Sequence, residues 1–273
     1  MEILTHLRKM RTSIGEGNMA NYKLQLYQNL AHEGEFFMND LVGKPITIGF
    51  TGEINCIETG KKIKKTFGEG LSYDAWLKSP AASPSVINPE LSRIHEGIAL
   101  RDFEWEQANH NQPHITYLSK TSGIKVGVTK ATNKFSRWID QGAVEGIILA
   151  ETPYRQLAGV IEVALKEHLA DKTAWQSMLK NEVNTSESLL NVKNKMLNLL
   201  PEDLVMFASD QDEITTINYP VLQFPSKVKS LKLDTTTEFS DILTGIKGQY
   251  LIFRHGVVFN IRAHSAYQVK ITI

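Results

Sequence analysis

Apolar and polar positions along the chain fall into three textures. From residue 21 to about 67 they alternate in the manner of half-buried strands: Tyr22, Leu24 and Leu26 face one way, while Lys23, Gln25 and Gln28 break the apolar run. Segments 45–50 and 53–57 flank Thr51-Gly52, which reads as a hairpin turn. Residues 79–89 hold Pro80, Pro84 and Pro89 with three serines and read as a loop. A short amphipathic helix over 89–96 follows, with Pro89 at its first position.

The middle stretch is the best defined. HITYLSK at 114–120 and IKVGVT at 124–129 are β-formers joined by Thr121-Ser122-Gly123, a hairpin signal. Thr132 or Asn133 caps a helix through Gln141 that Gly142 ends. GIILA at 146–150 makes a third strand. Thr152 as N-cap and Pro153 at the first helical position then open a helix to about Ala170. The last stretch predicts a helix over 187–200 stopped by Pro201, then strands at 250–253, 257–261 and 267–273. An antiparallel sheet must cover its edges, so these final strands are expected to pair with the N-terminal ones. The fold class is α+β: a β-rich body built from both ends of the chain, with an α/β unit in its middle. The expected segments are 1–111, 112–182 and 183–273.

Composition narrows the function. Thirty basic and thirty acidic residues give zero net charge, which excludes a surface that attracts phosphate everywhere but not a local basic groove. One cysteine, Cys56, cannot form an internal disulfide and fits a reducing compartment. No signal-like apolar stretch opens the chain and no run of 18 apolar residues occurs, so a cytoplasmic protein without membrane contact is expected.

Several motifs fail on inspection. Gly60-Lys61-Lys62 lacks the earlier glycine of a P-loop, since Asn55 stands there, and no Ser or Thr follows the lysine. Lys61, Lys62, Lys64 and Lys65 read as a solvated edge, with phosphate contact as the alternative. His110 and His114 are separated by Pro113, and His32-Glu33 and His95-Glu96 each lack a second histidine. No GxSxG elbow occurs.

The segments PELSRIHEG (89–97), TSGIKVGVTK (121–130), RWIDQGA (137–143), DKTAW (171–175) and GIKGQYLIF (245–253) resemble a bacterial and archaeal family, domain of unknown function 2797, over nearly the whole chain. Relatives in that family often carry paired cysteines suggestive of a zinc knuckle. The matching positions here are Cys56, Thr59, Ser72 and Ala75, one thiol where structural zinc needs four N or S ligands, so zinc is not expected.

The middle unit is similar to the GIY-YIG nuclease fold. That resemblance implies a tyrosine at Tyr117, a motif glycine at Gly127, an arginine at Arg137 and a metal-binding glutamate at Glu162. It implies Mg²⁺ or Mn²⁺ as cofactor and a nucleic acid as partner, with the choice between DNA and RNA left open. Glu162 borders the apolar side of its helix; its plain alternative is a boundary residue paired with Lys166 at i,i+4. Arg137 could fork onto phosphate or make a surface salt bridge. Trp138 reads as core more readily than as a base platform. Lys120, Lys125, Lys130, Lys134 and Arg137 lie within 18 residues that contain no Asp or Glu, a local bias that attracts phosphate. Of these, Lys120, Lys130 and Lys134 are the nucleic-acid-binding candidates, and Tyr117, Lys125 and Arg137 the catalytic ones. One departure stands out: Lys125 occupies the place of the second motif tyrosine, and lysine is a poor base near neutral pH unless its surroundings depress its pKa. The expected function is a metal-dependent nuclease or a nuclease-derived nucleic-acid binder; the alternative is a protein-interaction or small-molecule-binding protein on the same scaffold.

Overall fold

The computed structural model describes residues 1–169, 174–183 and 185–273. Three residues of the DKTAW segment, 171–173, and Ala170 therefore lie outside the described residues. Tertiary contacts divide the chain into two compact units, one of Met1–Lys78 with Asn218–Ile273 and one of Ser79–Ile217. The second unit thus extends on both sides of the 112–182 segment.

The first unit begins with strands β1 (Glu2–His6), β2 (Arg11–Ile14), β3 (Ala20–Gln28), β4 (Ala31–Phe37) and β5 (Pro45–Ile54), and a short helix α1 (Tyr73–Lys78). β2, β3 and β4 form a three-stranded antiparallel sheet in which Tyr22 and Leu24 of β3 are fully buried, as their alternation requires. Thr51-Gly52 is not a hairpin: β5 runs straight through it. Gly52 has φ +87° and the pairing with the C-terminal strand slips there, a step of two residues from Tyr267 to Val269 facing a step of four from Ile54 to Phe50. A glycine in the left-handed region serves a β-bulge as well as a turn, so the local signal is the same for both.

The second unit opens with α2 (Pro84–Ile87) and single 3₁₀ turns at Pro80–Ala82, Pro89–Leu91 and Ile94–Glu96, so the expected helix over 89–96 is two separate turns. Helix α3 (Phe103–His110) follows. Its fully buried Glu106 accepts the backbone N–H groups of Leu100 (3.1 Å) and Arg101 (2.8 Å), which pins the preceding loop. Strands β6 (His114–Lys120) and β7 (Ile124–Lys130) pair in register, then come α4 (Lys134–Asp140), β8 (Glu145–Thr152), α5 (Arg155–Lys166), α6 (Trp175–Leu179), α7 (Leu189–Leu197) and β9 (Thr215–Thr216). The sheet order is β7-β6-β8-β9, antiparallel throughout. Leu118, Ile147 and Leu149 of the sheet bury against Ile161 and Leu165 of α5 and Leu189, Val192 and Met196 of α7. Each such side chain contributes roughly 1.5–3 kcal/mol by leaving water. Thr152 does not cap α5. Its hydroxyl is turned to the carbonyls of Tyr154 (3.0 Å) and His114 (3.2 Å), and the helix starts three residues later, after Tyr154.

The chain returns to the first unit with β10 (Lys229–Ser230), β11 (Glu238–Lys247), β12 (Tyr250–Phe253), β13 (Val257–Asn260) and β14 (Tyr267–Thr272). Together with β1 and β5 they make a seven-stranded sheet in the order β1-β14-β5-β11-β12-β13-β10. N- and C-terminal strands do pair, and the fold is α+β. Among the described residues no helix is long and apolar enough to cross a membrane.

Candidate functional site

Tyr117 sits on β6, the central strand of the second unit, directly opposite Gly127 of β7. Its ring lies across that glycine: a Cβ at position 127 would stand 2.6 Å from the phenolic oxygen. Only glycine leaves room for the ring. The Tyr117 side chain is completely buried, and its hydroxyl donates to Oε1 of Gln141 at 3.0 Å. Burial pushes the phenol above its ordinary pKa, and the contacts with Arg137 and Gln141 pull against that without reversing it.

Arg137, on α4, reaches the Tyr117 hydroxyl with its guanidinium. Burial works against the charge of Arg137, but Tyr117, Asp140 and Glu162 together hold its pKa above the usual value. Its Nε is sealed from solvent with no acceptor. Trp138, beside it, is core: it is 1% exposed, packs edge-on to Tyr117 and covers Gly146.

Helix α5 supplies Glu162 and Arg155. Glu162 makes no hydrogen bond or ion pair among the described residues, Lys166 included. Burial raises its carboxyl; Arg155, Arg137 and Lys166 oppose the rise and Glu90 adds to it. Glu90 comes so near because Gly159 lets the 3₁₀ turn at Pro89–Leu91 lie on the helix, where a Cβ would be 2.3 Å from the Glu90 amide nitrogen. Arg155 opens the helix, where a cation opposes the macrodipole. Its Nε donates to the Ser85 carbonyl (3.0 Å) and one Nη to that of Val86 (2.8 Å), which compensates. Burial brings its pKa down to about 10.

Behind Arg155 lie Lys130, His110 and His114, each within its electrostatic range. Lys130 donates to Asn109 Oδ1 at 2.6 Å. Burial depresses His110 to about 3 and His114 to about 4, so both are neutral near pH 7. Nδ1 of His114 donates to the Gln112 carbonyl at 2.7 Å, and its Nε2 is sealed without a partner. The cations that act on Glu162 are therefore Arg155, Arg137 and Lys166.

The structure brings Tyr117, Gly127, Arg137 and Glu162 together and adds Arg155, Glu90 and Gln141, which the sequence reading missed. Arg155 carried a usable signal, a basic residue in the first turn of an amphipathic helix. Gln141 carried none, since a glutamine at a helix end reads as solvated surface. Lys120 leaves the candidate nucleic-acid face: it is 5% exposed, and its ammonium is taken by the Glu187 carbonyl and the Glu145 carboxylate, both at 3.0 Å. Lys134 lies over the Phe135 ring at 4.8 Å. Lys125, two residues from Gly127 on β7, lines a cavity of about 200 Å³ together with Gln141.

In the first unit the four knuckle positions also converge. Cys56 is fully buried against Leu71 and Ala75. Ser72 N–H donates to its sulfur at 3.2 Å, and Thr59 hydrogen-bonds to it. Burial would raise the thiol, but these hydrogen bonds win and bring it to about 7. The donor set does not fit zinc: one sulfur, two hydroxyls and a methyl cannot supply four thiolate or imidazole ligands. Among the described residues no three His, Cys, Asp or Glu side chains cluster.

The family described as protein of unknown function (DUF2797) matches residues 43–269, a span that takes in most of both units. No curated protein and no solved structure matches the chain.

Proposed function

We propose that this chain, which belongs to the DUF2797 family, binds a nucleic-acid phosphodiester at Arg137, Arg155 and Glu162 and cleaves it with Mg²⁺ or Mn²⁺, on a second unit that resembles the GIY-YIG nucleases. The observation that carries this reading is the Glu162 carboxylate, unbonded on a partly buried helix face within reach of two guanidiniums. A carboxylate placed only for structure would be paired with one of them. Left open beside Glu90, it suits a hard cation, which ordinarily takes one or two carboxylates, waters and phosphate oxygens. A divalent ion there would polarise a phosphate oxygen. Arg137 and Arg155 repel a bare cation but welcome the phosphate that accompanies it, and both are held by neighbours that pre-orient their remaining donors.

Within this reading Tyr117 is a positioning residue. It is sealed, its hydroxyl is committed to Gln141, and its pKa is raised, so it holds Arg137 in place and takes no proton from water. Lys125 supplies a cation where a second tyrosine would stand, and Lys130 and Lys134 extend the basic face. The second reading, phosphate binding without cleavage, is favoured by the same sealed Tyr117. A site of this kind needs no apolar membrane segment and fits the cytoplasmic expectation.

The test is cleavage and binding of labelled single- and double-stranded DNA and RNA with Mg²⁺ or Mn²⁺. Glu162→Gln should lose roughly 100-fold or more of the rate with little change in melting temperature, because the charge goes and the volume stays. Arg137→Lys should cost more rate than affinity, since the fork is lost and the charge kept. Binding without cleavage by the wild type selects the silent-binder reading; absence of both removes the phosphodiester site.

A further inference from the structure

In the first unit, the loop 223–227 and the turn between β12 and β13 enclose a cavity of about 370 Å³. Backbone hydrogen bonds fix both walls. Before the loop, Ile246 N–H donates to the Pro220 carbonyl at 3.0 Å and Leu222 N–H to that of Thr244 at 2.8 Å, which straps the segment to β11. After it, Lys229 N–H donates to the Gly256 carbonyl at 2.9 Å, where β10 joins β13. Gly256 has φ +74°, and a Cβ there would stand 2.2 Å from the Lys227 carbonyl oxygen, so loop and turn meet where only glycine fits. The Phe224 ring lies 5.4 Å from the ammonium of the fully buried Lys247, which anchors that wall. Lys227, Arg254 and His255 line the cavity and are exposed, so a solute reaches them, and none of the described acidic residues lines it. Asp241 offsets part of one charge: its carboxylate lies 3.4 Å from Arg254 and also accepts the Ile242 N–H at 2.8 Å. The side chains of Gln223, Ser226, Lys227 and His255 make no hydrogen bond or ion pair among the described residues.

We propose that this cavity binds a small organic phosphate, a phosphate monoester with an apolar or aromatic body. Such a phosphate carries close to two negative charges near pH 7 and three strong acceptor oxygens. Lys227 and Arg254 supply the opposite charges. Arg254 keeps donors beyond the nitrogen turned to Asp241, since a guanidinium carries five N–H groups, and His255, Ser226 and Gln223 add uncharged donors. A singly charged carboxylate would leave one of the two cations unmatched. Phe224 and Pro225 form an apolar wall for the body of the ligand. The volume lies at the small end of the about 300–1,000 Å³ typical of small-molecule pockets, enough for one phosphorylated ring and too little for a double helix. The site is made wholly by the first unit and does not rest on the phosphodiester reading of Arg137, Arg155 and Glu162.

The test titrates phenyl phosphate, inorganic phosphate and phenol into the full chain, with calorimetry for affinity and amide chemical shifts in NMR for location. Phenyl phosphate should shift the amides of residues 223–227 and 253–256 and bind there about tenfold more tightly than inorganic phosphate, because its ring leaves water. Lys227→Ala should weaken phenyl phosphate about fivefold, and Lys227→Glu by tenfold or more. Neither change removes a partner from another residue, so the melting temperature should hold. Arg137→Gln should leave this affinity unchanged, which keeps the fate of this site separate from that of the phosphodiester site. Phenyl phosphate binding that survives Lys227→Glu overturns the proposal, as do shifts confined to residues 79–217 or no binding at all. Equal affinity for phenyl phosphate and inorganic phosphate, or for phenyl phosphate and phenol, overturns it too, since one half of the ligand would then make no contact.

Discussion

The Cys56 turn of the first unit and the Tyr117 cluster of the second treat their polar groups in opposite ways. Around Cys56 the polar groups are satisfied: Thr59, Ser72 and Ala75 surround the sulfur as a hydroxyl, an amide with its hydroxyl and a methyl. Those groups do for the thiol what a metal would otherwise do. They fill its coordination space with hydrogen bonds and packing, so the turn holds without an ion. Around Tyr117, the Arg137 Nε has no acceptor and Glu162 makes no hydrogen bond or ion pair among the described residues, while Tyr117 and Gln141 form a sealed support. The Cys56 turn satisfies its own polar groups, and the Tyr117 cluster does not. The second unit leaves open Glu162, the Arg137 Nε, the His114 Nε2 and the Thr121 hydroxyl.

The largest effect that sharpens this contrast is metal binding by a restored knuckle. If the shape at residues 56–75 is intact, the triple variant Thr59→Cys, Ser72→Cys, Ala75→Cys supplies the missing thiolates and should bind one zinc ion. Its apparent free energy should approach the roughly 10–16 kcal/mol of structural sites. The wild type should contain no stoichiometric zinc, and its melting temperature should ignore chelators. A chelator-sensitive wild type would mean that ligands lie elsewhere, and a triple variant without zinc would mean that the turns no longer have the knuckle geometry.

A smaller effect should appear on acidification, and chiefly in the second unit. His114 and His110 are held near 4 and 3 by burial, first, and by the charge of Arg155. Unfolded histidines titrate near 6.5, so between that value and about 4 the unfolded chain takes up protons that the folded unit refuses. Stability is therefore full above pH 6.5 and falls as the pH drops, by on the order of 3 kcal/mol for His114 alone. Glu162, whose carboxyl is raised, works the other way: it softens the loss as the pH falls through its raised pKa to the ordinary carboxylate value, and adds nothing further below that. His264 of the first unit shares the downward shift, so hydrogen exchange resolved by residue is the measurement to use. Protection over residues 79–217 that stays unchanged from pH 7 to 4.5 would refute the burial assigned to these imidazoles.

How much of this was legible in the chain depends on how local each cause is. The β6–β7 hairpin, α4 and β8 follow from alternation, a Ser-Gly turn and a glycine stop, all read within a few residues. The C-terminal strands and their pairing with the N-terminus followed from edge coverage. Three features were not local. The bulge at Gly52 is distinguished from a turn only by β14 alongside it. Lys120 lies on a central strand buried on both faces, so an alternating pattern gave no hint that its ammonium is enclosed by Glu145 and Glu187. Arg155 and Glu90 come near each other because Gly159 admits the turn at Pro89–Leu91, a contact about seventy residues long in sequence.

The smallest expected effect decides what Tyr117 does. Tyr117→Phe removes one hydroxyl and leaves the ring over Gly127, so packing is conserved. Gln141 loses its donor, and the cost should be about 1–2 kcal/mol, the usual result of leaving one buried acceptor unsatisfied. If Tyr117 only supports Arg137, a nuclease carrying this substitution should retain at least about a tenth of its rate, because the guanidinium keeps its electrostatic attraction to Asp140 and Glu162. A proton-transfer role predicts a far larger fall in rate at the same small cost in stability. Measuring both quantities on one variant separates the two, since a support couples rate to stability and a base does not. A thousandfold loss of rate with an unchanged melting temperature would return Tyr117 to the chemistry and would require that its hydroxyl become exposed when substrate binds.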